Sequence, residues 1–86
     1  MKNLERTLKA LANKRRLAIV GYLKKRESSF VGDIAEEIDL SFKATSKHLS
    51  VLGAANIVEK KQRSSRMFYR LVENQSSAAK HIISLL

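Results

Sequence analysis

At Asn56 the hydrophobic period of this chain changes from helical to two, and that change limits the fold to helices followed by a hairpin. Upstream, Leu4, Leu8 and Leu11 recur at i, i+4 and i+7 and predict a first amphipathic helix. Asn13 stands where an N-cap would open a second helix, with Leu17, Val20 and Leu23 as its apolar stripe. Gly21 lies inside that helix, where it would permit close packing of a neighbour. "RESSF" is a polar break, and Asp33 to Ile38 reads as a short acidic helix with Ile34, Ala35 and Ile38 inward. Ser41 then caps a longer helix, "SFKATSKHLSVL", which has two opposite faces. Thr45, Leu49 and Leu52 form the anchoring one; Lys43, Ser46, Lys47 and Ser50 form the polar one. Asn56 suits the left-handed position that ends a helix.

Beyond Asn56, "IVEKKQ" and "RMFYRL" flank "RSSR" and predict a hairpin, with Met67, Tyr69 and Leu71 on one face and Phe68 and Arg70 on the other. Its tip carries neither Asn-Gly nor Asp-Gly, so a tight two-residue turn is not expected. The tail "SSAAKHIISLL" closes the chain as a helix capped by Ser76 or Ser77. The expected architecture is mainly α with a small β-hairpin, in a single domain over residues 1–86, without repeat or linker.

At 86 residues, with no Trp, the core must be built from Leu, Ile, Val and Ala, which is marginal at this length. Burying further surface in a homodimer would stabilise it. The absence of cysteine excludes disulfides, thiolate metal sites and thiol redox switches. No apolar run could span a bilayer, and "MKNLERTLKA" lacks a signal-peptide apolar region, so a soluble, cytoplasmic protein is expected, with no membrane partner.

The formal charge of +9 is segregated. Residues 1–27 carry nine bases against two acids, 28–40 carry four acids and no base, and 41–71 carry seven bases against one acid. Basic blocks around an acidic helix point to a polyanion, with nucleic acid ahead of anionic membrane. A short helix, a brief turn and a helix with a basic outer stripe form a helix-turn-helix, whose second helix fits the major groove of duplex DNA. A cationic hairpin after it forms a wing, with Lys60, Lys61, Arg63 and Arg66 facing phosphates and Ser64 at the tip.

These residues resemble a known family. "LKALANKRRLAIVGYLKKRE" is similar to the opening of ArsR-type (ArsR/SmtB) winged-helix regulators, and "VGDIAEEIDLSFKATSKHLSVLGAANIVEKKQRSSRMFYRL" resembles the segment that follows. The match spans about residues 4–71 and is most specific at Arg16, Ser46, His48, Leu49, Leu52 and Tyr69. The resemblance implies a homodimer formed by the first and last helices, with Leu4, Leu8, Leu11, Ile82, Ile83 and Leu86 at the interface, and repression from an operator. Two recognition helices in one dimer predict that the operator is an imperfect palindrome; the alternative function is a winged-helix module that binds RNA or a protein partner. Asn56 and Ser65 stand where the family carries Gly, and Phe30 and Gly32 stand where its metal sensors carry C-x-C. The tail offers His81 and no acid after Glu73. Neither a metal nor a cofactor is therefore expected.

The DNA-facing set is Arg16, Ser41, Phe42, Lys43, Ser46, Lys47, His48, Lys61, Arg63, Ser64 and Arg66. Several members admit a second reading. Arg16, in a helix first turn where a cation opposes the dipole, meets either a phosphate or Glu36 or Glu37. His48 serves the framework or the DNA backbone, with the framework first. Phe42 is either partly buried, the preferred reading, or touches a thymine methyl. No Gly-rich phosphate loop, acid pair or nucleophile–base grouping supports an enzyme; Ser46 and His48 are two apart on a helix and do not face each other.

Overall fold

The computed structural model describes residues 2–86. Five helices, α1 (Lys2–Leu11), α2 (Lys14–Lys24), α3 (Val31–Ile38), α4 (Phe42–Ala54) and α5 (Ser77–Ser84), accompany three strands, β1 (Ser29–Phe30), β2 (Val58–Arg63) and β3 (Arg66–Leu71). The sheet is antiparallel in the order β1-β3-β2. Helix α4 packs against α2, α3 and β2, and α1 against α5. Ile19, Val20, Leu23, Ile34, Leu49, Leu52 and Ile57 meet in the centre, each essentially inaccessible to solvent. This is a winged helix-turn-helix with a three-stranded sheet.

The helix starts follow local chemistry. Asn13 Oδ1 accepts from the Arg15 and Arg16 amides, Ser41 Oγ from Ala44 N and Ser76 Oγ from Ala79 N, each meeting an otherwise orphan first-turn donor. Two ends share one device. Asp39 (φ 57°) and Asn56 (φ 61°) are left-handed, and the next residues, Leu40 and Ile57, donate back to Ala35 O and Leu52 O at 3.0 Å. These are Schellman closures, and the second seats Ile57 in the core beside Leu52.

Several expectations need correction. α3 begins at Val31, so Val31 and Gly32 form its first turn. The inward residue early in α2 is Ile19, while Leu17 is only half-buried. "RESSF" contains a strand: Ser29 and Phe30 pair with Tyr69 and Phe68. Two residues show no period, and pairing rather than pattern makes them a strand. Arg63 pairs with Arg66, so Ser64 and Ser65 alone form the hairpin turn. Ser64 takes the positive φ (57°) such a turn requires, and Gln62 Nε2 donates to its carbonyl at 3.2 Å. Gly21 is not needed for close packing, since a Cβ there would meet Leu86 Cβ at an ordinary 3.9 Å.

Candidate nucleic-acid interface

Helix α4 is held by what it buries. Thr45, Leu49 and Leu52 are fully enclosed, which turns Lys43, Lys47 and Ser50 to solvent and leaves Ser46 half-buried at the edge. Among the described residues the ion pairs are Glu5–Lys9 (3.8 Å) and Glu59–Arg70 (2.6 Å), so Lys43, Lys47, Lys61, Arg63 and Arg66 have no carboxylate partner. Ser41 uses an oxygen lone pair to cap the helix, which leaves its hydroxyl proton for another acceptor. Phe42 is 58% exposed rather than partly buried. It projects from the first turn, before the helix reaches the core.

Arg16 meets neither Glu36 nor Glu37. Its Nε donates to Ala10 O (2.6 Å), one Nη to Lys9 O (3.2 Å), and the other to His48 Nδ1 (3.3 Å). Arg15 donates to Ile38 O at 2.9 Å. Two cations that oppose their own helix dipole therefore cap the carbonyl ends of α1 and α3, where cations are favoured. Neighbour-by-neighbour reading of the sequence missed this, because the partners lie on other helices. His48 accepts from Arg16, which places its proton on Nε2 in the neutral form. Its pKa lies below the ordinary 6.5, first through burial and then through the charges of Arg16 and Arg15. The side chain links α4 to the α1–α2 corner, a framework contact.

The strand register sorts the wing. Lys61, Arg63, Arg66, Phe68 and Arg70 lie on one face of the sheet, and Lys60, Gln62, Met67 and Tyr69 on the other. Lys60 thus parts from the three cations grouped with it by sequence. The Arg63 guanidinium lies 5.5 Å from the Phe68 ring centre and that of Arg66 4.8 Å from Phe30. Phe30 and Phe68 were not foreseen at this site; the alternation of "RMFYRL" places Phe68 beside arginines, but nothing local announces Phe30.

On the apolar side, Leu4 (42% exposed), Leu8 (46%), Leu85 and Leu86 remain accessible on α1 and at the chain end. Leu11 and Ile83, expected at a subunit interface, instead belong to the chain's own core, and Ile82 packs half-buried against it. No described helix is long and apolar enough to cross a membrane. Among the described residues no three His, Asp or Glu side chains cluster closely enough to hold a metal ion.

Residues 13–60, which span α2 to the start of the wing, match the family described as bacterial regulatory protein, arsR family. The transcriptional activator HlyU of Vibrio cholerae is 38% identical over 79 residues, covering 92% of this chain and 69% of HlyU. The nodulation protein NolR of Rhizobium meliloti is 40% identical over 62 residues, 72% of this chain and 50% of NolR. The chain therefore spans about half to two-thirds of these relatives' lengths. In structure, HlyU superposes with a TM-score of 0.84 at 32% identity, over 98% of this chain and 87% of that one. The homodimeric winged helix-turn-helix domain of Mb0332 from Mycobacterium bovis, a possible ArsR-family regulator, gives 0.84 at 27% identity, over 98% and 74%. The family is one of regulatory proteins rather than enzymes, and this chain, with its sequence pattern and the fold of these relatives, belongs to the ArsR family of bacterial regulatory proteins.

Proposed function

We propose that the protein is a sequence-specific duplex-DNA-binding transcriptional regulator that acts as a homodimeric repressor without a cysteine metal site. The observation that carries this reading is the outer stripe of α4. Lys43, Lys47 and Ser50 are exposed and, among the described residues, without carboxylate partners, opposite the fully buried Thr45, Leu49 and Leu52. A rigidly anchored helix with such a stripe fits the major groove. Lys43, Ser46, Lys47 and Phe42 face base edges or flank them, Phe42 being exposed enough to reach a thymine methyl. Ser41 serves a phosphate at the helix start, and Lys61, Arg63, Ser64 and Arg66 meet the neighbouring backbone. Arg16 and His48 act through the position of α4 rather than by touching DNA.

Dimerisation through α1 and α5 covers the exposed leucines and presents two copies of α4. The operator is then an imperfect palindrome whose half-site centres lie about one turn, ~34–36 Å, apart. Repression follows from occupancy of a promoter, and the protein works in the cytoplasm, where bacterial DNA is. Selection of bound duplexes from a random pool tests the reading in one step, with recovery of a palindromic consensus expected. A pool that stays random, or a preference for structured RNA at moderate salt, would sink it. Footprint position relative to the promoter separates repression from the activation for which HlyU is named.

A further inference from the structure

Two arginines are paired at the end of the wing, Arg63 with Arg66, so both side chains leave the same face of the sheet. Like charges directly opposite are unfavourable in a strand pair, and an arginine at an exposed hairpin tip is ordinarily free to wander. Here each lies over an aromatic ring, Arg66 over Phe30 at 4.8 Å and Arg63 over Phe68 at 5.5 Å. The two rings are neighbours, 6.0 Å apart and inclined at 53°. They are also a register pair, Phe30 on β1 and Phe68 on β3. Behind them lies Gly32, in the first turn of α3. A Cβ there would stand 2.7 Å from Phe30 Cε2 and 3.2 Å from Cδ2. The place of the Phe30 ring thus depends on the missing side chain at Gly32, and the place of the Arg66 guanidinium on the ring.

We propose that Phe30 and Phe68, with Gly32 making room for the first, form a platform that holds the two wing arginines in their DNA-binding positions. Phe30, Phe68 and Gly32 are positioning residues; the groups that touch the ligand, a duplex-DNA backbone or groove, are the guanidiniums. The inference rests on the duplex-DNA reading and adds residues outside both α4 and the hairpin tip. Its physical basis is preorganisation. A guanidinium already over a ring surrenders less side-chain freedom when it meets a phosphate. Two ring-held cations at one tip also place their mutual repulsion in the free protein, where a polyanion relieves it.

The test uses the full chain and the duplex recovered by selection. Phe30→Leu keeps apolar bulk and removes the π face, Phe30→Tyr restores the face, and Gly32→Ala pushes the ring while retaining every charge. In the free protein, proton spectra should show Arg66 side-chain methylene signals moved upfield by the ring, preserved in Phe30→Tyr and lost in Phe30→Leu. Phe30→Leu and Gly32→Ala should each weaken duplex binding by about two- to five-fold per half-site, the scale of one exposed cation–π contact, with Phe30→Tyr near the parent. In an Arg66→Ala background, Phe30→Leu should add no further loss. Equal, additive losses in both backgrounds, or an unshifted Arg66 signal in the parent, would overturn the platform while the parent's duplex binding stood. A parent that binds no duplex removes the function proposed above and this inference with it, and the spectra then report only the free wing.

Discussion

Thr45 puts a hydroxyl in the middle of the core. The residue is fully buried, and its Oγ1 has no hydrogen-bond partner among the described residues. An unsatisfied buried hydroxyl costs about 1–3 kcal/mol in desolvation, so Thr45→Val, which keeps the branched shape, should raise stability by ~1 kcal/mol. In a domain of this size that is a rise of about 4–8 °C in melting midpoint, readable by thermal circular dichroism. A fall would mean that the hydroxyl has a partner. His48 carries a second residue-scale consequence. Burial and two flanking arginines disfavour its charged form, so the folded chain binds a proton less readily than the unfolded one. This contribution to stability is intact above pH 6.5, the ordinary value, and declines as pH falls below it until the lower folded pKa is passed. Denaturant midpoints at pH 7.5 and 5.5 should therefore differ more for the parent than for His48→Gln, and an equal difference would remove the histidine as the cause.

At the scale of elements, helix ends decide where each piece of the site lies. Asn56 sits at φ 61° and closes α4 so that the next residue, Ile57, enters the core and β2 begins one residue later. Asn56→Ala should lower stability by ~1 kcal/mol, the left-handed penalty for a residue with a Cβ and no local amide, while Asn56→Gly should hold or exceed the parent. Equal midpoints for the two variants would show that the backbone there is not under this constraint. This end was legible in the sequence because Asn56 falls where the period changes, and so were the caps Asn13 and Ser41, whose chemistry is local. The α4 stripe was legible for the same reason, since thirteen residues show a period clearly. What escaped was whatever joins distant segments. β1 is two residues long, and the arginine caps Arg15–Ile38 and Arg16–Ala10 pair groups on different helices. Phe30 meets Arg66 only because β1 pairs with β3. The tight Ser64–Ser65 turn escaped differently, because serine is an uncommon but tolerated choice for positive φ.

For the whole molecule, the exposed leucines and the cationic stripe make separable demands. Leu8 is 46% exposed on α1, whereas Leu11, one turn further, is 3% exposed and belongs to the core. A charge at Leu8 should leave the fold intact and oppose dimerisation; the same charge at Leu11 should unfold the chain, because an unpaired buried carboxylate is far more costly. Sedimentation of Leu8→Glu should therefore give a folded monomer where the parent gives a dimer. Its binding to a full palindromic duplex should fall by ten-fold or more, since the second half-site no longer adds to the first through a shared body. Binding to an isolated half-site should change little. Lys47→Ala should show the converse, with the dimer kept, affinity lowered about ten-fold, and the slope of log affinity against log salt reduced by about one per protomer, about two for the dimer, if the lysine meets a phosphate. If Leu8→Glu stayed dimeric, the interface would lie elsewhere; if Lys47→Ala bound as the parent does at moderate salt, the outer face of α4 would not be the face that meets DNA.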